Sequence, residues 1–295
     1  MKRKIIGQGT GFTCTLPIDW VRAHNLQAGH EIELEQSDGK LVVSAEKKKK
    51  LEKAQLDARA LGSIIERCIP AFYRKGCDEI EIEYESDDAL KRIQAVLERE
   101  LISYEIVEQG KSNCVVKDVS GMETAVFDTL LRRCFLLLVS NARQCHEALQ
   151  DGDQNAIADI EHRDKSINKL TNLCQRLVVK DAHARPREAV FLFHLLKELE
   201  NLADEYKYIA VYHKNGKKAG KKETALLGQL TACVERVYTL FYSFTPHEAE
   251  KIDAALREIR KSAALSKSDV VFLHYSMSIA RRLQTMLADY FCLKL

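Results

Sequence analysis

The sequence predicts a multidomain α+β chain: a β-rich front module, a small α/β unit behind it, and a long all-helical C-terminal region. Three observations predict this. The first 46 residues alternate apolar and polar side chains, with Pro17 and Gly29 as punctuation, which is the period of strands. A run of four lysines at 47–50 then interrupts the pattern, a charge block typical of a solvated boundary. From Met122 to the C-terminus, apolar residues recur at helical spacing.

Within the front module, IIGQGTGFTCTL reads as two strands around a Gly-rich bend. GQGTG at 7–11 lacks the lysine and glycine spacing of a phosphate loop, so the hairpin reading holds. PIDWVRAHNL reads as a short helix with Pro17 near its start, a position that tolerates the missing N–H. HEIELEQSDGKLVVS reads as a second hairpin turning at Ser37-Asp38-Gly39. The module therefore spans 1–46 in the order β-β-α-β-β. The lysine run starts a helix or a linker, and a linker helix and small α/β unit fill 47–119. Leu61, Ile64, Ile65, Cys68 and Phe72 mark a helix, EIEIEY at 79–84 a strand, 87–100 a helix, and 102–108 and 113–118 two strands.

The helical region, 120–295, is punctuated at Asp151-Gly152-Asp153, around Pro186, at NGKKAGKK (215–222), at Thr245-Pro246 and at Ser266-Lys267-Ser268. About six helices follow, separable into repeats at 122–213 and 222–295. The third helix of each half opens alike, AVFLFH at 189–194 and VVFLHY at 270–275.

Composition narrows the function. A formal net charge of +2 excludes a whole-protein electrostatic case for nucleic acid, so any basic surface is local. Nine cysteines without a CxxC pair argue against structural zinc and a disulfide scaffold, and fit a reduced cytosol. FLLLV at 135–139, the longest apolar run, is too short for a membrane span, and the basic N-terminus lacks a signal-peptide core. The expectation is a soluble cytoplasmic protein. No nucleophile elbow, HExxH or kinase signature is present, so no enzyme is expected. His194 and Glu198 share a helical face, but one His with one Glu makes no metal site. His162 and His183 lack partners at ligand spacing and read as surface residues.

In ELENLADEY (198–206), Glu200 and Asp204 stand four apart, about one helical turn, on one face. Two readings are open. They are ordinary acids paired with Lys197 or Lys207, or they are ligands for a hard cation, iron or manganese among them.

Two resemblances bear on these residues. FTCTLPIDWVRAHNLQAGHEIEL (12–34) resembles the SpoVT/AbrB family, through Leu16-Pro17, the helix from Trp20 to Leu26, Gly29, Ile32 and Leu34. The resemblance implies a swapped-hairpin β-barrel shared by a homodimer, and basic side chains turned to DNA. Lys2, Arg3, Lys4 and Arg22 are the candidates here, although Thr13 and Thr15 stand where a basic residue often precedes the proline. Physics also asks for a partner, because some 46 residues bury too little surface alone. Including the lysine run, residues 1–50 carry nine Lys and Arg against six Asp and Glu.

REAVFLFHLLKELENLADEYKYI (187–209) and IADIEHRDKSINKL (157–170) resemble the PhoU domain of phosphate-uptake regulators. That resemblance implies a six-helix bundle of two three-helix repeats, with a Glu/Asp-x-x-x-Asp pair in each. It assigns Glu200 and Asp204 as metal ligands, with Asp164, near Asn168, as a third. In the second repeat, IARRLQTMLADYF (279–291) sets either Thr285 with Asp289 or Gln284 with Ala288 against the pair. One weak iron or manganese site, or none, is expected rather than two. In order along the chain, the parts resemble archaeal-type phosphate-uptake regulators. The implied function is a dimeric DNA-binding regulator of phosphate-responsive transport genes. The alternative is an interaction protein that restrains a phosphate transporter or signalling partner without touching DNA.

Overall fold

The computed structural model describes residues 2–37, 40–45, 51–121, 124–182, 186–214, 217–264 and 269–295. The lysine run, His183, the Asp38-Gly39 turn, Asn215-Gly216 and Ser266-Lys267-Ser268 lie outside the described residues, as does the expected helical start at Met122. The chain divides into two units, 1–50 and 51–295.

The front unit follows the order expected of it. Strands β1 (Ile5–Gln8) and β2 (Gly11–Cys14) pair antiparallel, Gln8 opposite Gly11. Gly9 takes φ 62° at the turn, a left-handed conformation that costs glycine little. Helix α1 (Ile18–Ala23) follows Pro17, and β3 (Glu33–Ser37) pairs antiparallel with β4 (Lys40–Ser44). Among the described residues the two hairpins form separate two-stranded ladders rather than a closed barrel. None of this unit's described residues is buried. Ile5 is 69% exposed and Phe12 75%, with Ile6, Ile18, Leu34 and Leu41 also open.

The second unit begins with a strand where a linker was expected. Strand β5 (Lys53–Asp57) runs parallel to β6 (Glu79–Glu83), joined through a 3-10 turn and helix α2 (Ile65–Arg74). Helix α3 (Asp87–Glu100) is capped by Ser86, whose side chain accepts from Ala89 N–H at 3.3 Å, satisfying one of the first-turn donors. Strands β7 (Tyr104–Gln109) and β8 (Asn113–Asp118) complete an antiparallel hairpin, and the sheet order is β5-β6-β8-β7. The EIEIE alternation buries Ile80 and Ile82 against Ile65, Ile69, Ile93 and Val96, leaving the glutamates on the open face.

The helical region is α4 (Phe127–Asp151), α5 (Gln154–Lys180), α6 (Pro186–His213), α7 (Lys221–Tyr242), α8 (Pro246–Ala264) and α9 (Val270–Lys294). Its breaks fall where the sequence punctuates it. Gly152 closes α4 at φ 70°, and Asp153 caps α5 by accepting from Asn155 and Ala156 N–H at 2.9 and 3.1 Å. Pro186 and Pro246 open α6 and α8. Helices α4–α6 and α7–α9 form the two repeats. One continuous core runs through both, including Phe135, Leu196, Leu199, Tyr206, Leu230 and Leu283. The α/β core is closed by Leu173 and Leu177 of α5, so the helical region forms one wall of it.

Candidate functional site

The acidic residues singled out in the sequence sit on α5 and α6. Asp164 is 3% exposed, as expected of a residue at the α5–α6 seam. Its Oδ2 accepts from Lys207 Nζ at 2.8 Å and from Asn168 Nδ2 at 3.3 Å. Lys207 also binds Asp204, three residues earlier on α6. One ammonium therefore bridges the carboxylates of two helices. Glu200 is held separately, by Lys197 Nζ at 2.7 Å. Of the two readings of the Glu200–Asp204 pair, the structure contains the lysine pairings. Among the described residues no three His, Cys, Asp or Glu side chains converge as a metal-ligand set.

Burial pushes the Asp164 carboxyl above the usual carboxylate range, against the pull of Lys207. Burial would lower the Lys207 amine, but its bonds to Asp164 and Asp204 outweigh that and hold it as an ammonium. The Asp204 charge, followed by burial, raises the Tyr208 phenol beside them. Asp164 Oδ1 and Asn168 Oδ1 have no hydrogen-bond partner, and both are sealed from solvent.

These donors line one wall of a polar cleft of about 580 Å³, bounded by Glu161, Asp164, Asn168, Asp204 and Lys207, with Arg99 and Glu100 of α3 opposite. A second cleft of about 580 Å³ continues past Arg99 and Glu100, between Glu66, Arg67 and Arg74 of α2 and Lys197 and Glu200 of α6. Arg99 ties the wall together, bonding Glu100 at 2.7 Å and Glu66 at 3.2 Å. The α/β unit thus faces the candidate acids, an arrangement sequence reasoning did not foresee.

The same helix carries a second charge cluster. Buried Glu205 accepts from Ser278 Oγ at 2.6 Å and Arg282 Nε at 2.9 Å, both on α9. Arg282 also reaches buried Glu198 at 3.3 Å. His194 Nδ1 lies 2.7 Å from Asp289 Oδ2; burial raises the Asp289 carboxyl and His194 opposes the rise. Arg282 and Ser278 come from the other repeat, and no signal in the local sequence pointed to them.

A different buried cation was also missed. Arg176, on α5, is 1% exposed. It donates to the Tyr73 and Cys77 carbonyls, to Asp78 Oδ1 at 2.6 Å and to Asp118 Oδ2 at 3.0 Å. Its guanidinium lies 5.0 and 5.4 Å from the ring centres of Tyr73 and Tyr104. One arginine inside the apolar run LCQRLVV was the available signal.

On the front unit, Lys2, Arg3 and Lys4 lead into β1 and Arg22 stands on α1; all four are exposed. His162 is exposed, as expected of a surface residue, and stands at the edge of the first cleft beside Asp164. No described helix is long and apolar enough to cross a membrane.

The fold and the paired clusters define a two-repeat helical protein carrying an α/β unit on its first repeat. The PhoU domain family model matches residues 131–212, from the first turns of α4 to the end of α6. Among solved structures, the phosphate transport system regulatory protein PhoU from Streptococcus pneumoniae is similar at 13% identity and a TM-score of 0.41. That match covers 57% of this chain and 89% of the other. No curated protein matches the chain.

Proposed function

We propose that this chain is a regulator of phosphate transport, acting by protein contact through its helical repeats. The observation that carries the reading is the PhoU-domain match over residues 131–212. The six-helix, two-repeat arrangement supports it. The regulated partner is a phosphate transporter or a signalling protein attached to one. The test is phosphate uptake in cells lacking the gene, measured in phosphate-replete medium. Loss of restraint on uptake is the expected result, and unchanged uptake rejects the reading.

The front unit acts as a dimerisation module in this proposal. Its exposed Ile5, Ile6, Phe12, Ile18, Leu34 and Leu41 support that role, since a fragment this small cannot cover them itself. Two copies interleave their hairpins into one barrel. A second reading adds DNA, favoured by the exposed Lys2, Arg3, Lys4 and Arg22. Backbone contact of that kind gives a log–log salt slope of about 0.9 per phosphate neutralised. Arg3→Ala with Arg22→Ala then flattens the slope; no retention of the wild type on DNA at low salt leaves the protein-contact reading alone.

A further inference from the structure

The oxygen donors between α5 and α6 have the chemistry of a hard-cation site. Asp164 and Asp204 offer four carboxylate oxygens, and Asn168 Oδ1 is a fifth acceptor beside Asp164. Hard divalent ions take oxygen ligands of this kind. The position such an ion would take between the two carboxylates is filled by the Lys207 ammonium, 2.8 Å from Asp164 Oδ2 and bonded to Asp204. An added divalent ion would have to share those oxygens with an existing positive charge. With Lys207 in place, the cluster does not fit a metal.

The charge count points the same way. Two aspartates and one lysine leave a net −1, whereas the aspartates alone would present −2. Neighbouring acids are supplied likewise: Glu200 by Lys197, Glu198 and Glu205 by Arg282, and Asp289 by His194. Each of these acids thus has a basic side chain of the chain itself within bonding distance.

We propose that Lys207 is the resident cation of the α5–α6 carboxylate cluster, and that vacating it opens a divalent-metal site on Asp164 and Asp204. The ammonium joins the two helices as a bridging ion would, on a side chain that cannot dissociate. The bundle is therefore indifferent to metal supply. This inference stands apart from the phosphate-transport reading and does not depend on it.

The test uses the full chain and Mn²⁺, followed by paramagnetic resonance and thermal melting. Wild type is expected to take up no Mn²⁺ that depends on Asp164, and to melt at the same temperature with or without it. Lys207→Ala is expected to melt roughly 5–10 °C lower, at about 2–4 °C per kcal/mol for a unit this size. It should bind about one equivalent of Mn²⁺ and recover part of the loss when metal is added. Adding Asp164→Asn to that variant should abolish the uptake. Lys207→Met, which keeps the aliphatic stem but neither charge nor donor, serves if the alanine variant does not fold. Wild-type uptake that Asp164→Asn removes would overturn the proposal. So would a folded Lys207 variant that binds no Mn²⁺, whatever its melting temperature.

Discussion

Replacing Arg176 with methionine tests whether the α/β unit and the helical region fold as one body. The substitution keeps much of the aliphatic stem and removes the charge and every hydrogen bond. Losing one partner of a buried ion pair costs about 3–5 kcal/mol when the other is left alone. Here each acceptor group keeps a second partner, Asp118 through its other oxygen. Asp78 retains Lys180 and the Glu52 amide, the Cys77 carbonyl retains the Tyr104 hydroxyl, and the Tyr73 carbonyl retains the Gly76 amide. Asp118 retains Ser120. The low end, about 3 kcal/mol, is therefore the expected loss, or roughly 6–12 °C in melting temperature. Urea unfolding followed by circular dichroism should show one transition for residues 51–295 in wild type, shifted to lower urea in the variant. The loss also depends on pH. Burial would raise the Asp78 carboxyl, but Lys180, the Glu52 amide and Arg176 together hold it below its usual value. A lowered carboxylate contributes stability that is present above its unfolded pKa, about 3.9, and is lost as pH falls through the folded value. The difference between wild type and Arg176→Met should thus narrow below about pH 4. A variant within about 1 kcal/mol of wild type at neutral pH, against that 3 kcal/mol expectation, would refute the reasoning.

Two further perturbations address the helix boundary and the front unit. Gly152→Ala should destabilise the α4–α5 corner by about 1 kcal/mol, because an L side chain is strained at φ 70°; equilibrium unfolding measures it, and an unchanged midpoint counts against the strain. Phe12→Glu places a charge on the most exposed large apolar side chain of the front unit and should convert a dimer to monomer by light scattering, while a dimer that persists moves the interface elsewhere.

The helical region was legible because its signals are local. Asp151-Gly152-Asp153 carries the stop, the left-handed residue and the next cap within three positions, and Pro186 and Pro246 open helices where proline is tolerated. Strand β5 was not legible. KAQLD has two apolar residues, follows a lysine run, and gains its strand identity only by pairing in parallel with β6, more than twenty residues later. The site shows the same division. Glu200, Asp204 and Lys207 share one helix, so their spacing exposed both the pair and its neutralising lysine. Arg282 meets Glu205 only because α9 packs on α6, a contact between repeats that no local pattern encodes. The barrel implied for the front unit needs strands beyond the two separate ladders of one chain.

Helix α5 explains why the cleft beside Asp164 has fixed walls. Asn172, Arg176 and Lys180 are spaced four apart, so they form a row along one side of the helix. Asn172 donates to the Glu100 carbonyl and accepts from Arg74, Arg176 binds Asp78 and Asp118, and Lys180 binds Asp78. Leu173 and Leu177 beside this row enter the α/β core, whereas Leu170, Cys174 and Val178 enter the core of the six helices. A single rigid element therefore belongs to two cores at once. Apolar packing alone would allow the α/β unit to slide along α5, since Leu173 and Leu177 are interchangeable by shape. The polar row removes that freedom, because a shift by one turn would take Asp78 off one of its two cations and break the Asn172 bonds to Glu100 and Arg74. That register sets Arg99 and Glu100 opposite Asp164 and Lys207. One wall of the cleft over the paired acids is thus supplied by the α/β unit, and its position is set by the polar row of α5 rather than by apolar packing.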